Sequence, residues 1–493
     1  MAVTAALALS ASPRHASAVP DIRLIRTARG APAPRFVRLR YDAVVFGIRG
    51  TDEILVDLAT GRFAERTDAG PASSSQGFDG VRAWSSDATG LAEIADAAED
   101  RSLVLATSYL LAGPPRSAPH VELVSATPRM LRERLRFREL SRPIDVRIDR
   151  VTGRLTAAAL RAGSSRTTLT IDGYGVARTL IVPARVDTHS DFGDVRETLR
   201  RVELPRAVSA NAFVAPPPPD DTTLAGTTTV PLAMYPDGPV VTIRVDDGPP
   251  LRVLVDTGSS CTLTDAAARR SKLRLFGSAT SGGVGPHLVR TWLATAKRIR
   301  IGGALLRHQP VEVITERDLA AGDRTDGIIG YEVFARLAVR FDFAHRTMQL
   351  ARPAAALRPR GTRIPFVLTG GQPQVEGAVD ALRGPITIDT GSGYALDVTS
   401  PTVRAHDLVH RYHATHYEAV PGIGGVLADY RAHARTVRLG AIAVHDVPIA
   451  LDLGTGGALD DPSTIGNVGL PVLRRFVVVL DYRGRAMYLA AER

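Results

Sequence analysis

Asp256-Thr257-Gly258-Ser259 and Asp389-Thr390-Gly391-Ser392 are two copies of one short motif, each preceded by an apolar run. Two carboxylates in matched settings point to a pair that faces each other and shares a proton. Like charges held close cannot both ionise, so one pKa rises and the other falls. The two values belong to the pair rather than to either residue. The ionised member can then take a proton from a water molecule while the protonated member hydrogen-bonds a substrate carbonyl. Val253–Val255 and Ile386–Ile388 are β-branched or apolar, which suits buried strands that hold the reactive loops rigidly. Gly258 and Gly391 lack Cβ and permit a tight turn and close approach of the two loops. A single copy of the motif reads as ordinary turn chemistry. Two copies inside a longer repeat read as a site.

That repeat is present. Asp326 to Phe343 follows the first copy and Ile465 to Tyr482 follows the second, so that Gly330 pairs with Gly469, Asp342 with Asp481, Met348 with Met487 and Leu350 with Leu489. Between motif and late glycine, Gly283-Val284-Gly285 matches Gly422-Ile423-Gly424, and Arg298–Gly302 matches Thr436–Gly440. The same features in the same order describe a duplicated lobe. On these residues, positions 227 to 493 resemble the pepsin and retropepsin superfamily in its single-chain, two-lobed form, with the short lobes of bacterial aspartyl-protease-like proteins. The resemblance implies a mainly β, bilobal acid-protease fold and an aspartic endopeptidase acting on an extended peptide. Asp256 and Asp389 would be catalytic, with no metal and no organic cofactor. It further implies that Thr257 and Thr390 donate across the lobe interface, and that Ser259 and Ser392 hydrogen-bond the outer carboxylate oxygens. Asn467 departs from the pattern, standing where an apolar residue is expected, and its polarity is expected to loosen the floor under Asp389. Two other readings stay open: a non-catalytic peptide-binding module, and an envelope protein that handles lipid or lipoprotein.

The chain has 493 residues, one cysteine and a formal net charge of +10. The arginines are scattered, the only lysines are Lys272 and Lys297, and aromatics are sparse, which argues against nucleic-acid binding. Cys261 alone cannot form an intrachain disulfide and reads as a small packed residue. Residues 1–20 resemble a secretory signal, with an apolar Ala2–Ala11 and a small-x-small Ala16-Ser17-Ala18, although no basic segment precedes them. A periplasmic or secreted protein is expected. Because the lobes form a pseudo-dimer within one chain, a monomer suffices.

The remaining punctuation divides the chain into an accessory domain at 21–214, a proline-rich linker at 215–226, a first lobe at 227–352 and a second at 363–493. Four consecutive prolines from Pro216 make the linker stiff. Glycine-rich hairpins at Gly282–Arg290 and Pro421–Leu427 are the candidate flaps over a cleft, with Trp292 and Tyr430 just beyond them as packing or pocket residues. The accessory domain reads as antiparallel β-rich structure with a helix from Leu91 to Ala112, ended by Gly113. Asp57-Leu58-Ala59-Thr60-Gly61-Arg62 and Gly77-Phe78-Asp79-Gly80 resemble the curved sheet of outer-membrane lipoprotein carriers. That resemblance implies a concave apolar face for an acyl chain or a substrate segment, and association with the envelope. His406, His410, His413 and His416 fall in one stretch; on a helix the first three share a face, read here as exposed rather than metal-binding.

Overall fold

The computed structural model describes residues 20–113, 118–162, 165–235, 238–319 and 325–491. The expected signal segment lies outside them, apart from Pro20. Among the described residues no helix is long and apolar enough to cross a membrane.

The accessory domain is built on a thirteen-stranded sheet running from Glu93–Ile94 at one edge to His120–Ala126 at the other, with a separate three-stranded sheet of Arg26–Thr27, Leu180–Pro183 and Tyr174–Ala177. Its early and late strands meet where Phe36–Val45 pairs antiparallel with Gly193–Glu203. Phe36–Val45 alternates, so Val37, Leu39, Tyr41, Ala43 and Val45 all point to the inner face. The helix is Ala98–Ala112 and buries Val104, Leu110 and Leu111 in the same core as Leu39, Val56 and Leu155. It starts seven residues later than its composition predicts, because Trp84 and Ser85 recruit Ile94 and Glu93 into the sheet edge. Glu99 and Asp100 then occupy the first helical turn, where negative charge is favoured.

The expected open apolar face is not what the sheet presents. The helix and the buried residues Ile22, Leu24 and Ile25 fill part of its inner side. Further along, Asp52, Glu65 and Glu197 gather within 4.8 Å of one another. Burial and the neighbouring Glu65 and Glu197 charges push the Asp52 carboxyl up to about 9. That cluster makes its own part of the inner face a poor place for an acyl chain.

The two lobes repeat one topology. In the first, Pro250–Val255 runs parallel to Gly327–Ile329, and Thr262–Thr264 parallel to Ala304–Ile314. In the second, Leu382–Ile388 runs parallel to Gly466–Val468, and Leu396–Val398 parallel to Ile442–Asp452. Each reactive loop therefore leaves a strand buried between partners. The last hairpins of the lobes join where Ala338–Asp342 pairs with Phe476–Asp481. Thr227–Pro231 extends this sheet at one end, and Thr362–Thr369 continues it into the strands of the second lobe. Val339, Phe341, Met348, Val478, Leu480 and Met487 are buried in a single core shared by both lobes. Burying each such side chain contributes about 1.5–3 kcal/mol, so the lobes are fixed as one body beneath the cleft.

The histidine row is not on one helix. Asp407 adopts a left-handed conformation (φ 49°) that separates Ser400–His406 from Leu408–Arg411, and His413 is left-handed as well. His416 opens a strand, and all four side chains are exposed.

Candidate active site

Main-chain bonds hold the two Asp-Thr-Gly loops in matching positions. Asp256 N donates to Ile329 O at 2.9 Å, and Asp389 N donates to Val468 O at 2.9 Å. On the other side of each loop, Tyr331 N donates to Ser259 O and Leu470 N to Ser392 O, both at 2.9 Å. Gly330 makes this bracing possible, since a Cβ there would lie 1.9 Å from Ser259 O.

The loops are tied to each other through the threonines. Thr257 Oγ1 donates to Ile388 O at 2.7 Å and accepts from Thr390 N at 3.0 Å. Thr390 Oγ1 donates to Val255 O at 2.8 Å and accepts from Thr257 N at 3.1 Å. Both threonines are fully buried. Each hydroxyl thus satisfies a donor and an acceptor of the opposite lobe, and an unmade bond here would carry the full desolvation cost.

Asp256 and Asp389 are brought together between these ties. Gly258 N donates to Asp256 Oδ1 at 2.6 Å and Gly391 N to Asp389 Oδ1 at 2.8 Å. The contact is close enough that a Cβ on Gly391 would lie 2.3 Å from Asp256 Cγ. Burial, then the Asp389 charge and the hydrogen bond with Asp389, push the Asp256 carboxyl well above its usual range, so the pair retains a proton that the two carboxyls share.

The serines do not play the part that the resemblance implies. Ser259 Oγ donates to Ser260 O at 3.2 Å, and Ser392 Oγ to Asp397 Oδ2 at 3.2 Å. A nearby acceptor has taken each hydroxyl. The outer oxygen of Asp389 is held instead by Asn467, whose Nδ2 donates to Oδ2 at 2.8 Å. The polar departure in the second lobe therefore grips Asp389 rather than loosening its floor. Gln372 is a residue that the sequence did not single out: its Nε2 crosses the cleft to Gly258 O at 2.7 Å. Cys261 is buried beside the first loop, and burial pushes its thiol up.

The two glycine-rich hairpins meet at their tips. Gly285 N donates to Ile423 O at 2.8 Å and His287 N to Gly424 O at 2.9 Å, while Ala458 N donates to Gly283 O at 2.9 Å. Gly282 and Ile423 line the same cavity as Gly258 and Ser259, of about 680 Å³. Trp292 stacks under the Arg290 guanidinium at the base of its hairpin, and Tyr430 packs edge-on against Tyr417.

Further buried acids surround the pair. Burial, then the Asp429 charge, pushes Asp397 up to about 8. Burial, then the Asp452 charge, pushes Asp429 up to about 6. Burial also pushes Glu332 up to about 7, against the opposing bond from Cys261 N. A raised folded-state pKa means that the folded chain binds more protons. The stability these groups contribute is fully present below the ordinary carboxylate range and is lost as pH rises through about 6 to 8. The thermal midpoint is thus expected to fall between pH 5 and pH 8, and Asp397→Asn to flatten the upper part of that fall. A midpoint rising over this window would contradict the burial assigned to these acids.

Matched Asp-Thr-Gly loops, cross-bonded threonines and an inter-lobe sheet define a two-lobed, mainly β fold of the acid-protease type. Residues 241–333 match the family model described as Aspartyl protease. Among curated proteins nothing matches it. The solved aspartic proteinase from Irpex lacteus is similar over 54% of this chain and 97% of its own, with 15% identity and a TM-score of 0.37.

Proposed function

We propose that the protein is an aspartic endopeptidase that hydrolyses extended peptides with Asp256 and Asp389 as its dyad. The observation that supports this most is the pair itself: two carboxyls in contact, each on a loop braced by the opposite lobe's threonine. The protonated member of the pair donates to the scissile carbonyl. The ionised member removes a proton from the water between them, and the water oxygen attacks the carbonyl carbon. The proton then passes to the leaving amine as the carbon–nitrogen bond breaks. The peptide lies across the cleft as an added strand, held mainly by main-chain hydrogen bonds. The test is incubation of the purified chain with a mixed peptide pool from pH 3 to pH 8, with mass-spectrometric mapping of internal cuts. Internal cleavage strongest at acid pH is expected. A folded protein that binds peptides but cuts none at any pH would overturn the reading.

Asn467 serves here as a positioning residue for Asp389. Asn467→Val removes the donor at 2.8 Å from Asp389 Oδ2, and a hydrogen bond to a charged group is worth about 1.5–3 kcal/mol. The expected result is kcat lower by about 10- to 100-fold with KM little changed. An unchanged kcat would remove Asn467 from the mechanism. The Ala16-Ser17-Ala18 segment supports a periplasmic or secreted location, which cell fractionation tests directly.

A further inference from the structure

The accessory domain touches the cleft at an unusual place. Its two turns at Phe46-Gly47 and Asp191-Phe192 lie side by side, since Phe46 N donates to Asp194 O at 3.0 Å. Together they dock on Leu275–Ser281, the outer strand of the first lobe's flap hairpin. Ser278 N donates to Phe46 O at 3.0 Å and Thr280 N to Phe192 O at 3.0 Å. Thr280 Oγ1 adds a bond to Asp191 O. The contact is strand-like and uses the amides of an exposed sheet edge. Behind it Ala43, Val45, Ala69 and Ala72 form a small core with Leu293 of the lobe.

This docking walls the 680 Å³ cavity that reaches Gly258 and Ser259. The accessory domain lines it with the apolar Val45, Phe46, Phe192 and Val195 and also with Thr67, Ser73, Ser74 and Asp87, while Leu293 and Ile314 come from the lobe. The floor is polar, with Ser260, Ser281 and Glu312, the last two hydrogen-bonded to each other. The volume falls within the range of ligand pockets. Phe46 also packs against that small core and over Gly193, and two details bear on its ring and that of Phe192. Phe192 is 45% exposed at the tip of its turn. Phe46 holds φ 52° in a two-residue turn where Asn, Asp or Gly is favoured, so the ring occupies a position that the backbone alone would not select.

We infer that the accessory domain completes the substrate cleft, and that Phe46 and Phe192 form a subsite for one large apolar side chain of the peptide. The inference rests on the peptidase reading above for its substrate. The polar floor meets the peptide main chain while the apolar wall takes the side chain. The accessory domain is then a specificity element of the same site.

The test uses the full chain and paired peptides that differ only at one position, Phe against Gly, scanned along the sequence. At the position read by this pocket, the wild type is expected to prefer Phe. Phe46→Asn, which suits the turn, and Phe192→Ser are each expected to reduce that Phe-to-Gly ratio of kcat/KM by about 10- to 100-fold. Val195→Trp, which fills the pocket, is expected to invert the ratio. Thermal midpoints of the variants verify folding. A ratio unchanged in all three folded variants would overturn the subsite, and so would an equal loss on every peptide. The same pairs are titrated against Asp256→Asn to read binding without cleavage. Apolar preference in binding that is lost in the Phe46→Asn background, with no wild-type cutting, would sink the peptidase reading and leave the subsite standing. Cutting without any dependence on Phe46 or Phe192 would do the reverse.

Discussion

Asp256→Asn and Asp389→Asn are each expected to lower peptide hydrolysis by about 10²–10⁴-fold while leaving the fold in place. Asparagine keeps the shape of the carboxyl, and the supporting amides of Gly258 and Gly391 remain available. What it cannot do is share or exchange a proton. At either position the amide can mimic the protonated carboxyl as a donor, but it can neither give up a proton nor accept one from water. Because the pair acts as one unit, the double variant should be little worse than either single one. Initial rates at the acid optimum, on proteins with matching thermal midpoints, measure this. A rate kept within tenfold in either folded variant would take the dyad out of the mechanism.

The duplicated motif was legible because catalysis of this kind constrains both residue type and spacing. An Asp on a loop after a buried strand, with a glycine two positions on and a second glycine bracing the loop from below, leaves a linear trace. The lobe hairpins were legible for a related reason: Val240–Val245 and Leu251–Val255 alternate around an Asp-Asp-Gly turn, and strands Gly238–Val245 and Pro250–Val255 do pair there. Hydroxyl partners left no such trace. Ser392 chose Asp397, a residue that local spacing does not distinguish from any nearby acid. Asn467 looked like a defect in an apolar pattern because the pattern contains no information on which way its amide points. The helix start at Ala98 and the break at Asp407 turned on sheet pairing and one left-handed residue, both decided by tertiary packing. The docking of Phe46 and Phe192 on the flap joins segments far apart in sequence, so no window of the chain contains it.

The junction between the three parts of the molecule carries the largest expected stability effect. Arg336 is 1% exposed and follows the short helix Tyr331–Phe334 beneath the first lobe's loop. Its Nε and Nη2 donate to Asp221 at 2.9 and 2.5 Å, Nη1 to Glu332 O at 3.2 Å and Nη2 to Thr89 O at 2.8 Å. One guanidinium thus binds the segment after the prolines, the first lobe and the accessory domain. Asp221→Ala leaves that charge buried with only carbonyl acceptors and is expected to cost about 3–5 kcal/mol. Arg336→Met is expected to cost less, since Asp221 is partly exposed and can be rehydrated. Combining Asp221→Leu with Arg336→Met should recover part of the loss of Asp221→Ala, because no unpaired charge remains in the interior. Denaturant midpoints rank the three. If the pair is what seats the accessory domain, Asp221→Ala also shortens survival under limited proteolysis, with new cuts near Pro216–Pro219. If Asp221→Ala proves no less stable than the double variant, the guanidinium is satisfied by its carbonyl partners alone, and the accessory domain is held by its other contacts, which include the Phe46 and Phe192 turns, the Tyr331–Glu93 hydrogen bond and the Gly370–Asp100 hydrogen bond.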